Sequence, residues 1–297
     1  MDQTLESRDR TLRRRTRFTP LWLSLPALAL YGVLLAVPLA MTLVLSVNLY
    51  DQTRGVIPAL SAANYASVLG DPYFQRIFLR TLRIALITTV VAALIGTPEA
   101  WILSRLAPRW RAACLLTVLG PLFISVVVRT LGWTILLGRT GLINQALLGV
   151  DLLDRPVELL FTETGIVIAL VHVLVPFVVI AVWTALQRVD PASERAALSL
   201  GASGRMVFFR IVLPQIVPGV LSGSVIVFSL AASAFATPAL IGGRRLKVVA
   251  TTIYDEFLTT LDWPLGAAIS VLLVVSVVAI VLLWNRLVER RYAAVPG

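Results

Sequence analysis

Six predominantly apolar runs, near residues 21–47, 82–104, 112–137, 164–187, 215–240 and 266–288, set the terms for any fold this chain adopts. Each has about 20 residues or more, the length an α-helix needs to cross about 30 Å of hydrocarbon. With 58% hydrophobic and 14% charged residues, nothing is left over for a soluble catalytic domain, which takes about 100 residues of mixed composition. The first run exceeds the roughly 7–15 residues of a signal-peptide core, so it is read as a retained span. An all-α membrane protein with six transmembrane helices is expected, with a basic tail at 1–20 and a transmembrane domain at 21–297. Pro26, Pro38, Pro98, Pro121, Pro176, Pro218 and Pro238 lie within or at the ends of the spans. Membrane helices tolerate prolines where neighbours satisfy the freed carbonyls, which predicts kinked spans around a cavity.

The connections between the runs alternate in charge. Placing the N-terminus in the cytosol puts 16 of the 26 Lys and Arg residues on the cytosolic side with six of the 16 acids, which accounts for the whole net charge of +10. Positive residues collect on that side of a membrane, so both N and C termini are expected to be cytosolic. The tail ESRDRTLRRRTR is expected to be disordered or to lie on anionic membrane lipids. It lacks the interleaved aromatics that would stack bases, so nucleic acid is not an expected partner. On the outer side, Tyr73, Phe74, Ile77 and Phe78 have the spacing of an interfacial amphipathic helix, and Trp263 sits at interfacial level before the sixth run.

Cys114 is the only cysteine and His172 the only histidine. An intrachain disulfide, a thiolate cluster and a His-based zinc site are thereby excluded, and a Ser-His-Asp triad has no base outside a span. No G-x-x-x-x-G-K-[ST] occurs; the GASGR and GGRRLK stretches lack its spacing, so this chain does not cradle nucleotide phosphates in that way. An ionisable residue at mid-membrane costs about 2.5–3.5 kcal/mol on insertion scales, so it faces protein or a water-filled path. Glu99 in the second run, Arg129 with Trp133 in the third and His172 in the fourth are therefore candidates for a solute path. Each also has a structural alternative. Glu99 would pair with Arg105 or another helix, Arg129 with a neighbouring carboxylate or carbonyls, and His172 would donate an interhelical hydrogen bond.

Between the fourth and fifth runs lies a short, partly polar stretch, ERAALSLGASGRMVFFRIVLP, from Glu194 to Pro214. Asp190 before Pro191 makes a helix start, an acidic N-cap followed by a proline that lacks the orphan N–H. Gly201 stands where a helix C′ residue needs positive φ, and Ser203 is placed to cap a second short helix through Met206, Phe208 and Phe209. Pro214 and Pro218 are expected to open the next span at a fixed angle. The outcome is an elbow, with helices at about 190–210.

Gly201, nine residues, Ile211, one residue, Leu213 and Pro214 resemble the Gly–(nine)–Ile–x–Leu–Pro half of the EAA loop of permease subunits of type I ABC importers. The family's Glu-Ala-Ala aligns with Arg195, Ala196 and Ala197, so Arg195 stands at the glutamate position and Glu194 one place earlier, about 100° round the helix. The resemblance implies the MetI-like architecture and a loop, with Ala202 and Ser203 at its turn, that couples to a cytosolic ATPase. NYASVLGDPYF, the Val127–Asn144 run, FATPALIGG from Phe235 to Gly243 and DWPLGAAIS from Asp262 to Ser270 are similar to the spermidine/putrescine branch. What this implies is a bacterial inner-membrane subunit, not itself an enzyme, that imports a polyamine-like organic ion. Its implied partners are a second permease subunit, an ATPase dimer that holds the ATP and Mg, and a periplasmic or extracellular solute-binding protein. An anionic or zwitterionic solute stays open because Arg129 would repel a polycation. A secondary transporter and an intramembrane enzyme are the rival classes, but Glu99 is the one mid-membrane carboxylate and no paired catalytic groups are evident.

Overall fold

The structure, a computed structural model, describes residues 3–292 apart from residue 153, with side chains described from 24 to 286. In chain order the helices are α1 (Gln3–Ser46), α2 (Ala63–Gly70), α3 (Pro72–Arg105), α4 (Pro108–Leu119), α5 (Val126–Leu137), α6 (Leu142–Gly149), α7 (Glu163–Leu186), α8 (Pro191–Ser199), α9 (Gly204–Val207), α10 (Leu213–Ala232), α11 (Val249–Asp255) and α12 (Trp263–Tyr292). A two-stranded antiparallel hairpin, β1 (Leu49–Asp51) and β2 (Gly55–Ile57), follows α1. Its turn is closed by Asp51. The hydroxyl of Thr53 and the N–H groups of Thr53 and Arg54 all donate to Oδ1, which holds this carboxyl below its usual range.

Six helical stretches among the described residues are long and apolar enough to cross a membrane: Ser24–Ser46, Pro72–Arg105, Val126–Gly149, Glu163–Leu186, Gly204–Ala232 and Trp263–Arg286. The core is a three-helix pack of α3, α7 and α10, and α7 is the most enclosed of the spans. Close approach is set by small residues. A Cβ on Gly219 of α10 would meet the Ala185 Cβ at 2.5 Å, and one on Gly223 would meet the Val178 Cα at 3.0 Å. That small-xxx-small stripe lets the two backbones touch where, inside a bilayer, packing and not apolar burial drives helix association. By contrast α1 packs on α12, and its side chains from 24 to 41 are all exposed, as suits a lipid-facing span.

Four expectations are corrected. The aromatic segment Tyr73–Phe78 is no separate interfacial helix. Asp71 Oδ1 caps Tyr73 N–H at 2.7 Å, Pro72 starts the helix, and α3 then runs on without interruption, with Phe74 and Ile77 buried against Val249, Ile269 and Leu273. The third apolar run is not one helix but α4, a 3-10 turn at Gly120–Phe123 and α5, since Pro121 and Gly120 interrupt the hydrogen-bond ladder. The fifth run ends at Ala232, and Pro238–Gly242 forms a separate π turn closed by Gly243 at φ +55°. Residues 3–20, expected to be either disordered or surface-lying, are helical and continue the backbone of α1, which corrects the disorder alone.

Candidate coupling elbow and solute cavity

The elbow forms as its residues dictate. Asp190 Oδ1 accepts from Ala192 N–H at 2.8 Å and starts α8 at Pro191. Leu200 ends it, and Gly201 turns the chain at φ +84°, with Ala202 N–H returning to Ala197 O at 3.0 Å. Ser203 Oγ then accepts from Met206 N–H at 3.4 Å and starts α9. The expected corner at Pro214 and Pro218 is absent. α9, a π turn at Phe208–Val212 and α10 run as one 29-residue helix from Gly204 to Ala232, and Pro214 lies inside it, just after the π turn, where its missing N–H removes one bond of the ladder without ending the helix. Ile211 and Leu213 are half-buried on that helix, Ala197 and Ala202 half-buried at the turn, and Ala196 is exposed.

Glu194 does not stand free. Its carboxylate pairs with the guanidinium of Arg105 at the end of α3, and its side chain keeps 16% of its exposure. Arg105 lies 4.9 Å over the Trp101 ring, and that ring lies 4.6 Å from Phe208. Arg195, at the expected glutamate position, is exposed, its Nε donating to Pro191 O at 3.3 Å. Sequence reasoning missed this cluster because nothing in the chain links position 105 with 194. It also missed the ion pairs of Glu163 with Arg80 and Arg83, which tie the start of α7 to α3. A cleft of about 590 Å³ beside the elbow, lined by Thr184, Arg188, Gln215 and Ser222 among others, was equally invisible.

A second hollow of about 450 Å³, open to the surface of the subunit at exposed His172 and Ile95, lies among α3, α4, α5 and α7. It gathers three of the four expected path residues, Glu99, Trp133 and His172, on walls of Ile95, Val118, Ile168, Val171 and Val175. Pro121 and Pro176, at the 3-10 turn and inside α7, also line it. Arg129 is not among the lining residues. It precedes Trp133 by one turn of α5, and its Nε and Nη1 are buried without a hydrogen-bond partner among the described residues. Glu99 makes no pair with Arg105, which Glu194 occupies. His172 accepts a hydrogen bond instead of donating one: Trp133 Nε1–H points to its Nδ1 at 3.1 Å. Glu99, without an ion-pair partner among the described residues, is the cavity's one carboxylate.

Comparison with known proteins agrees with this geometry. The family described as binding-protein-dependent transport system inner membrane component matches residues 115–294. The spermidine/putrescine transport system permease protein PotB of Salmonella typhimurium is 32% identical over 236 residues, 80% of this chain and 82% of that protein. PotB of Escherichia coli is 31% identical over 236 residues, 80% of this chain and 86% of that protein. A chain of the bacterial alginate ABC transporter, solved with its alginate pentasaccharide-bound periplasmic protein, shares the fold at a TM-score of 0.77 and 20% identity, covering 96% of this chain and 99% of that one. The six spans, the elbow and these matches converge: the chain belongs to the family of binding-protein-dependent transport system inner membrane components and is a multi-pass permease subunit of an ABC importer.

Proposed function

We propose that this permease is one of two membrane subunits of a bacterial polyamine importer, receiving a spermidine- or putrescine-like solute from a soluble binding protein. The observation that carries the reading is the 32% identity over 80% of the chain to a spermidine/putrescine permease. ATP and Mg bind a partner ATPase pair, which seats on the elbow from Asp190 to Pro214 and drives the spans between inward-open and outward-open states. Both termini and the elbow face the cytosol, as the clustering of positive charge at that end supports. Glu99, Trp133 and His172 line the solute path, with Arg129 beside it.

This reading has a condition. An unpaired guanidinium repels an ammonium by about 4 kcal/mol at 4 Å with an effective dielectric of 20. Arg129 must therefore be neutralised by the second permease or kept from the solute. The test is uptake by the complete importer in proteoliposomes with its binding protein, ATP inside, and a panel of putrescine, spermidine, a phosphonate and a dicarboxylate. Polyamine uptake that stops without ATP supports the reading. Uptake of an anion in its place, or uptake without ATP, refutes it.

A further inference from the structure

Between residues 188 and 214 the chain carries four arginines, Arg188, Arg195, Arg205 and Arg210, and two acids, Asp190 and Glu194. Both carboxylates are engaged inside the subunit. Asp190 Oδ1 accepts from Ala192 N–H at 2.8 Å, and Glu194, 16% exposed, is held by Arg105, 45% exposed. Arg105 is itself braced over Trp101, and Trp101 against Phe208. The three contacts bind α8, the end of α3 and the start of the long fifth span into one unit.

The face left over has the opposite character. Arg195, Arg205 and Arg210 are exposed and have no acidic partner among the described residues. Exposed apolar groups stand among them, with Leu198 at 48%, Leu200 at 89% and Phe209 at 63%. A step of one residue turns a helix by about 100°. Glu194 and Arg195 are such neighbours, so when one reaches α3 the other is directed away from it.

We infer that the elbow docks into an acidic, apolar-floored groove on the partner ATPase, with Arg195 reaching a carboxylate there, and that Glu194 is a positioning residue that never leaves the permease. The inference rests on the reading of the elbow as the ATPase seat. Charge complementarity identifies the occupant: a surface of guanidinium groups around leucine and phenylalanine fits an acidic rim on an apolar floor.

The test uses the complete importer, purified through a tag on this permease, and measures ATPase retained and its apparent Kd at two salt concentrations. Arg195→Glu should weaken ATPase binding by about tenfold or more, with the larger effect at low salt, and Arg195→Gln by less. Glu194→Gln should weaken ATPase binding by only about twofold, through the loosened α8 and with no change in its salt dependence, while lowering the melting temperature of the permease. The exchange Arg105→Glu with Glu194→Arg should recover part of that temperature, since it re-forms the ion pair but loses the stack of Arg105 on Trp101, and a general packing defect would allow no recovery. If Glu194→Gln releases the ATPase, or Arg195→Glu retains it, the inference is overturned while the elbow remains the seat. If the intact wild-type importer holds its ATPase when the elbow from Glu194 to Pro214 is cut by protease, the seat lies elsewhere and the underlying reading fails.

Discussion

Trp133 on α5 donates its indole N–H to Nδ1 of His172 on α7 across 3.1 Å, with the ring centroids 5.5 Å apart at 66°. An imidazole that accepts at Nδ1 is neutral and carries its proton on Nε2, so the pair adds no charge to the cavity it shares with Glu99. Interhelical hydrogen bonds in membranes are worth about 0.6 kcal/mol on average. Trp133→Phe removes the donor together with the five-membered part of the indole and keeps a six-membered aromatic ring. It should lower permease stability by at least about 0.6 kcal/mol, a fall in melting temperature in detergent. Unchanged stability would mean that the bond contributes nothing.

Gly201 is the one hinge in the elbow that only glycine fits comfortably. Nothing lies within 4 Å of a Cβ built there, so space is not the obstacle; the backbone at φ +84° is. Gly201→Val should strain the turn by about 1–2 kcal/mol. Insertion into the membrane should survive, while solute-stimulated ATP hydrolysis falls. Gly201→Asn, which tolerates the left-handed region, should be milder. Normal stimulation in Gly201→Val would count against a rigid turn.

The contact between α10 and α7 responds to volume instead. Gly219→Leu places a side chain where even a Cβ lies 2.5 Å from Ala185 and 3.0 Å from the Ala181 carbonyl, so the helices must separate. Overpacking of this kind costs about 1–3 kcal/mol. The expected readout is lower yield of folded permease and a lower melting temperature. Ser222→Ala, one helical turn away and exposed, serves as the neutral control.

At the end opposite the elbow, Lys247 Nζ meets Asp255 Oδ2 at 2.8 Å, joining the loop before α11 to its last residue. That hydrogen bond raises the Lys247 pKa above its ordinary 10.5, against the opposing effect of burial, with Tyr73 adding to the rise. A lysine raised in the folded state contributes stability that is complete below 10.5 and is lost as pH climbs through the folded value. Thermal scans should therefore show no contribution from this group changing between about pH 6 and 9, and a loss beginning above pH 10.5 that Asp255→Asn abolishes. A wild-type slope equal to that of the mutant above pH 10.5 would sink this assignment.

The parts of this fold that were legible are those written in local chemistry. Asp190 and Pro191, Gly201 and Ser203 specify their caps and turn from their own side chains, and the fourth span was placed within one residue at each end, 164–187 against Glu163–Leu186. Proline proved ambiguous. Pro98 and Pro218 sit inside uninterrupted helices, Pro121 lies in a break and Pro214 starts no corner, because neighbouring helices and not the residue decide whether a freed carbonyl is tolerated. The cavity was half legible: the cost of an ionisable group in a membrane picked out Glu99 and His172, which line it, and Arg129, which does not, with Trp133 named only beside Arg129, while the direction of the Trp133–His172 bond needed the packing of α5 on α7. Arg105 and Glu194, 89 residues apart, could be joined only by the fold.

The unbroken passage from α9 into α10 changes how force would cross this subunit. A helix of 29 residues is about 44 Å long, and its two ends are Gly204, just past the Gly201 turn, and Ala232, just before the Phe235–Gly243 segment. Because one helix spans the distance, a thrust delivered at one end is carried along it to the other in the manner of a piston, and the π turn at Phe208–Val212, with Pro214 and Pro218 just beyond it, marks where a change of pitch would absorb part of the stroke.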